Sequence, residues 1–397
     1  MKRVISLPQV DPNSMAARIF LSFLGTAGLY YVNIMPALVE GLKVGLGFTN
    51  QQAGMIGSFN MYGGATGALL AALFVRRLPW RRAAHWMLFG LILVDIISIA
   101  FTQPLALMVV RFLHGIVGGG LVGLSFSLFA RTHAPDRTFG VLLMVQAAMG
   151  GLGVMTLPLL VPILGIPVLF AGLILFSLMT LVMLQFLPDY PVPVPVISTA
   201  KALPVMLAPL LLALFSVFLF QAANMGLYAF IIGLGKHLGL ELEFISETLG
   251  LANWVGVLGA LLVVLWSTQY GIFKPILGGM LLTLLGSWAL FYSDVHWIWI
   301  SANFITGMTW NFVIAYLLGM CARFDQAGHS AVWAGFVSKL GLASGPMLGS
   351  FLLGENHYAT LIWVSLALFL IATVVSAVPA FLLDRRAEKE VNVDVSI

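Results

Sequence analysis

Three charged residues stand inside long apolar stretches of the sequence: Asp95, Arg111 and Lys339. A charge in such a setting is costly, and it persists where it is paired or where it meets a solute. Asp95 lies eight residues before a short turn near 103 and Arg111 eight after it, so antiparallel helices would bring them to one depth. That spacing predicts an ion pair within one half of the chain. It also leaves open a role in which Arg111 faces a cavity and binds a solute, with Asp95 as counter-ion. His114 follows Arg111 by three residues on the same helical face. A lone imidazole among apolar residues is most simply a packing and hydrogen-bonding group; the alternative is that His114, with Asp95, carries a proton. Lys339 has no acidic residue in its own stretch. Were it to share a space with Arg111, the two would form a cationic pair suited to a carboxylate or phosphate; otherwise it caps carbonyls or ties its helix to a neighbour.

Polar side chains recur at helical spacing in three further stretches. Thr26, Tyr30 and Asn33 form one set, Gln221, Asn224 and Tyr228 a second, and Thr306, Trp310 and Asn311 a third. Positions i, i+3 or i+4, and i+7 share a helix face, so the first two sets read as stripes, either solute contacts or interhelical hydrogen bonds. Tyr30, Tyr228 and Trp310 offer flat faces to an aromatic or amphipathic ligand. Gly115, Gly119 and Gly123, like Gly341, Gly345 and Gly349, repeat every four residues and predict seams where helices approach closely. The single cysteine, Cys321, allows no intramolecular disulfide and no cysteine-based metal site, and the 18 methionines form no ladder, so neither a metal nor a cofactor is expected.

The elements that must position these residues are transmembrane helices. Of 397 residues 60% are apolar and only 9% charged, and the mean hydropathy is +1.03. A soluble domain carries about a quarter charged residues. Crossing a hydrocarbon core of about 30 Å takes about 20 apolar residues as helix, and twelve such stretches can be counted: 17–38, 52–74, 84–101, 105–129, 141–163, 167–187, 207–233, 246–267, 275–293, 297–321, 331–353 and 359–383. The first has no cleavage site and reads as retained. Twelve spans put both termini on one side, and 15 of the 19 Lys and Arg residues fall on that side, against Lys43 and Lys236 on the other. The positive-inside rule then places both termini in the cytoplasm. The basic residues are not clustered into a face for nucleic acid. Net charge of +4 follows from topology instead.

The proline-rich stretch 189–206 reads as a cytoplasmic linker between a bundle of six helices over 1–188 and a second over 207–397. At an offset near 192 residues, Arg111-Phe-Leu-His-Gly115 aligns with Asn303-Phe-Ile-Thr-Gly307, and Ala130-Arg131 with Ala322-Arg323. The alignment indicates a duplicated unit, a known transporter architecture. With Leu107-Met-Val-Val-Arg111-Phe-Leu-His-Gly115-Ile-Val-Gly118 in the fourth span, which is similar to an L-x-x-x-R-x-x-q-G-x-g pattern, and Asn33-Ile-Met-Pro36 closing the first, the whole chain resembles the major facilitator superfamily. Two family signatures differ. The loop between spans two and three keeps only a basic turn, 76–82, and the Gly-Pro pair that family antiporters carry in span five is missing, while a G-x-x-x-G-P run occurs in span eleven at Gly341 to Gly349.

No enzyme signature is present, and the longest non-membrane segment is too short to be an output domain. The resemblance implies alternating-access secondary transport of a small solute, with spans one, four, seven and ten lining the cavity. The expected site residues are Arg111, Lys339, Tyr30, Asn33, Gln221, Asn224, Tyr228 and Trp310 for the substrate and Asp95 and His114 for protons. Two intramembrane cations, one in each half, with the aromatic stripes, point to uptake of a small organic anion, and the family likeness together with the titratable Asp95 and His114 points to proton symport; the alternative is efflux of amphipathic drugs or metabolites by proton antiport. The expected setting is a bacterial inner membrane, and a chain carrying both halves can work as a monomer.

Overall fold

The computed structural model describes residues 8–74, 79–191, 206–267, 269–324, 329–354 and 356–394. Among them every regular element is helical: α1 (Met15–Ala27), α2 (Tyr30–Asn33), α3 (Met35–Leu46), α4 (Asn50–Phe74), α5 (Trp80–Ile99), α6 (Pro104–Phe129), α7 (Pro135–Leu164), α8 (Pro167–Leu184), α9 (Leu207–His237), α10 (Leu242–Trp266), α11 (Phe273–Ala289), α12 (His296–Ala322), α13 (His329–Leu353) and α14 (Tyr358–Asp394). Every expected span contains helix. Among the described residues ten helices are long and apolar enough to cross a membrane. The two expected spans outside that ten have separate causes. The first is divided among α1, α2 and α3, because hydrogen bonds tighten to Leu29 N→Thr26 O (2.8 Å) and Val32 N→Leu29 O (2.9 Å). The second, α4, carries Asn50, Gln51, Gln52, Asn60 and five glycines, which lower its hydropathy.

The chain divides into two compact units, Met1–Phe48 with Phe59–Ser198, and Thr49–Ser58 with Thr199–Ile397. Residues 49–58 group with the second unit. The physical reason is local: Asn50 Nδ2 donates to Gly354 O at 3.2 Å, and Gly54 has no side chain to keep Phe230, Ser350 and the Pro346 carbonyl from its backbone. Residues 192–205 of the expected linker and 75–78 of the basic turn lie outside the described residues. The described part of that turn is used structurally. Arg81 donates to Leu184 O (3.3 Å) and Leu187 O (2.6 Å), and Trp80 Nε1 to Asp189 Oδ1 (2.8 Å), so the turn holds the chain leaving α8.

Each unit repeats one packing plan. In the first, α1 packs on α7 and α8, and α5 on α6 and α8; in the second, α9 packs on α13 and α14, and α11 on α12 and α14. Corresponding helices also start at a constant displacement: α4 at Asn50 and α10 at Leu242, then α6 at Pro104 and α12 at His296, each 192 residues apart. Glycine seams recur with them. A Cβ at Gly115 would strike the Asn60 carbonyl and one at Gly119 the Gly64 carbonyl, so α4 and α6 cross backbone to backbone. At the α10–α12 crossing a Cβ on Gly307 would lie 2.9 Å from Ala252 O. The second glycine ladder is a seam too, with Gly341 and Gly345 fitted to the carbonyls of Phe218 and Ala222 on α9 at 2.6 and 2.5 Å from an added Cβ.

The contrast between seam and open glycines is testable. Gly119→Ala in α6 should destabilise by about 1–3 kcal/mol, because α4 backbone must move. Gly319→Ala in α12 meets nothing within 4 Å and should be neutral or raise stability by up to about 1 kcal/mol. Thermal unfolding of the two purified variants checks both.

Candidate functional site

In the first unit α5 and α6 bring the sequence-predicted charges together. Arg111 Nη1 donates to Asp95 Oδ1 at 2.7 Å, and both side chains are fully buried. Nη2 donates to Val94 O at 3.1 Å and to Ser98 Oγ. The guanidinium carbon lies 5.2 Å from the Phe170 ring and 5.9 Å from that of Tyr31. Apolar walls, one carboxylate and two oxygen acceptors therefore surround the cation. This is the pair that the spacing around residue 103 predicts.

His114 completes the cluster. Asn60 Nδ2 donates to Arg111 O at 3.0 Å, and a carbonyl can only accept, so that atom must be the amide nitrogen. The same nitrogen stands 2.8 Å from His114 Nδ1. Nδ1 therefore accepts, and the ring proton of the neutral imidazole sits on Nε2, 3.4 Å from Asp95 Oδ1. Asp95 Oδ2 and Arg111 Nε make no hydrogen bond among the described residues. The carboxylate thus links the permanent cation to the imidazole while keeping one oxygen open.

The second unit holds a cavity of about 70 Å³, room for several water-sized groups. Helices α9, α10, α11 and α12 supply its walls, including Asn224, Tyr228, Asn253, Ser287, Asn303, Trp310 and Asn311. The stripe on α9 forms as predicted because α9 is one uninterrupted helix. Trp310 Nε1 donates to Gln221 Oε1 at 2.7 Å, and Gln221 Nε2 to Ser338 Oγ at 2.8 Å, which locks the indole from behind. Asn253 Nδ2 donates to Tyr228 OH at 3.1 Å. The Tyr228 and Trp310 rings meet edge to face at 5.7 Å, making an aromatic corner. Among the described residues no Asp, Glu, Lys, Arg or His lines this cavity.

The remaining expected residues lie elsewhere. Lys339, on α13 one residue after Ser338, is half-buried and does not line the cavity. Tyr30 stacks on Phe176 at 4.5 Å, within the first unit. Asn33 lies against Gly150. The stripe expected of Thr26, Tyr30 and Asn33 does not form as one helical face, because the break after Ala27 puts Thr26 on α1 and the others on α2. Asn60, Ser98, Asn253, Ser287 and Asn303 were not among the expected site residues. The repeat itself carries a signal for two of them: displaced by 192, Asp95 falls on Ser287 and Arg111 on Asn303. Among the described residues no three His, Cys, Asp or Glu side chains gather as a metal site requires.

Removing one member of the buried pair strands the other charge. Asp95→Asn or Arg111→Gln alone should destabilise the protein by about 3–5 kcal/mol, whereas the two together should recover most of that loss. Chemical unfolding of the three variants measures the coupling.

A family model described as Major Facilitator Superfamily matches residues 19–346. Among solved structures the chain is similar to the nucleoside transporter NupG, with 13% identity, a TM-score of 0.69 and coverage of 92% of this chain and 99% of that one. It is also similar to a bacterial homologue of the human lysosomal transporter Spinster, at 12% identity and a TM-score of 0.61, covering 94% and 98%. These likenesses establish a shared fold. No curated protein sequence matches the chain. With the family model spanning most of its length over a duplicated all-helical plan, the chain belongs to the Major Facilitator Superfamily of membrane transporters.

Proposed function

We propose that the protein is an alternating-access secondary transporter that takes up a small organic solute with protons. The observation that carries this reading is the cavity of the second unit, where Asn224, Tyr228 and Trp310 line one space and Gln221 fixes the indole from behind. A concave site with an aromatic corner and a few oriented polar groups suits a small ligand. NupG is named for nucleosides, which are uncharged and rich in polar groups.

Proton coupling is assigned to Asp95 and His114. The carboxylate has one oxygen without a partner among the described residues and an imidazole 3.4 Å from the other. Protonating it would weaken its hold on Arg111, so proton uptake and the packing of α5 against α6 are physically linked. Symport into a bacterial cytoplasm, across the inner membrane and with both termini inside, is the direction favoured. Export of amphipathic compounds by antiport is the competing direction. A monomer suffices in either case, since one chain carries both units.

An anionic solute is the second reading, and one observation favours it: Lys339 stands on α13, an apolar helix that carries no acidic residue of its own. The two-cation clamp with Arg111, Tyr30 and Asn33 as further contacts, would first need the Asp95–Arg111 pair to open.

Proteoliposomes decide these points. Imposing an inward proton gradient should drive accumulation of the transported solute, and collapsing it should reduce uptake at least about tenfold. Asp95→Asn should retain exchange but lose accumulation. Unchanged accumulation without the gradient would exclude proton coupling, and loss of anion uptake in Lys339→Ala would restore the anionic reading.

A further inference from the structure

The cavity of the second unit occupies the position that the ion-pair cluster fills in the first. Carried by 192 residues, Asp95, Arg111 and His114 become Ser287, Asn303 and Thr306, and all three of these line the cavity. The helices concerned correspond as well, α5 to α11 and α6 to α12. Each replacement is shorter than its counterpart. The space filled in one half by a carboxylate, a guanidinium and an imidazole is left open in the other.

Its walls have a definite hydrogen-bonding polarity. Asn224 Nδ2 donates to Phe220 O (3.0 Å), Asn253 Nδ2 to Leu249 O (3.0 Å), Asn303 Nδ2 to Trp299 O (2.8 Å) and Asn311 Nδ2 to Gly307 O (3.2 Å). In every case the partner is a backbone carbonyl one turn back, which can only accept, so the atom facing away from the backbone is the amide oxygen. None of these four oxygens accepts a hydrogen bond among the described residues. Thr306 likewise directs its hydroxyl proton at Ala302 O (2.8 Å), leaving lone pairs. Ser287 Oγ, fully buried, has no partner among the described residues.

We infer that this cavity binds an uncharged solute bearing several N–H or O–H donors, such as a polyol or an amide- or hydroxyl-bearing ring, held between the asparagine oxygens and the Tyr228–Trp310 corner. A carboxylate or phosphate would be buried with no Lys, Arg or His among the lining residues to balance its charge. A cation would satisfy the oxygens, yet no carboxylate lines the cavity to balance its buried charge. A neutral donor-rich molecule leaves neither problem. The inference rests on the transport reading only in naming this cavity as the solute site.

The test is a thermal-shift titration of the purified full-length chain with D-glucose and uridine as neutral donors, malate and phosphate as anions, and tetraphenylphosphonium as a cation. At least one neutral probe should raise the unfolding temperature in a saturable manner, and the anions should not. Asn303→Ala should weaken that binding about tenfold, the loss of about one hydrogen bond. Ser287→Asp with Asn303→Arg, which rebuilds the first unit's pair at its counterpart position, should fill the cavity and abolish the shift. Should that double variant fold poorly, Asn303→Ala alone still decides. No shift from either neutral probe, stabilisation by the anions or the cation alone, or neutral binding untouched by the substitutions overturns the inference. Uptake of the binding probe into proteoliposomes is measured separately: binding without uptake refutes transport and spares the cavity assignment, while anion uptake without neutral binding does the reverse.

Discussion

A guanidinium sealed from water needs a fixed anion, and much of the first unit is arranged around meeting that need. Arg111 can stand fully buried on α6 because Asp95 on α5 lies 2.7 Å away and because Ser98 and the Val94 carbonyl accept from its Nη2. That requirement sets the register of α5 against α6, and through Asn60 it reaches α4. The close α4–α6 crossing at Gly115 and Gly119 places the Asn60 amide where it can bridge the Arg111 carbonyl and the His114 ring. Charge pairing, glycine spacing and tautomer choice are thus parts of one packing solution.

The second unit keeps the scaffold and drops the charges. Its packing plan is the same, with the one helix α9 where the first unit has α1, α2 and α3, and its α10–α12 crossing again runs along glycines, but serine, asparagine and threonine stand where the first unit has aspartate, arginine and histidine. With no buried charge to satisfy, its asparagines turn their N–H groups to the backbone and leave oxygens toward an open space. Duplication followed by divergence therefore gives two halves of one plan with different electrostatics: a paired, titratable cluster in one and an uncharged, acceptor-lined cavity in the other. In the function proposed above, the first would serve the proton and the second the solute.

Much of this was legible in the sequence, where a local rule sufficed. Eight residues on either side of a short turn put Asp95 and Arg111 at one depth, whatever the rest of the chain does. The α9 stripe held because a continuous helix preserves the i, i+3, i+7 face. The corresponding stripe near residue 30 did not, because tight turns after Thr26 interrupt the helix, a tertiary effect that hydrophobic periodicity does not register. Asn253 and Ser98 were invisible for another reason: single polar residues on helices signal nothing until their neighbours on other helices are known. The division of α4 between two units likewise depends on what Gly54 packs against.

The central claim, that charge is handled in one half and an uncharged solute in the other, makes transport carry net charge. Moving one proton with a neutral solute transfers one positive charge per cycle, whereas moving it with a monovalent anion transfers none. The most direct measurement is uptake of a neutral solute that stabilises the protein, into proteoliposomes whose membrane potential is set by potassium and valinomycin. The account predicts that an interior-negative potential accelerates uptake and that each solute brings an inward current of one charge. Uptake indifferent to the potential, with no accompanying current, would contradict it.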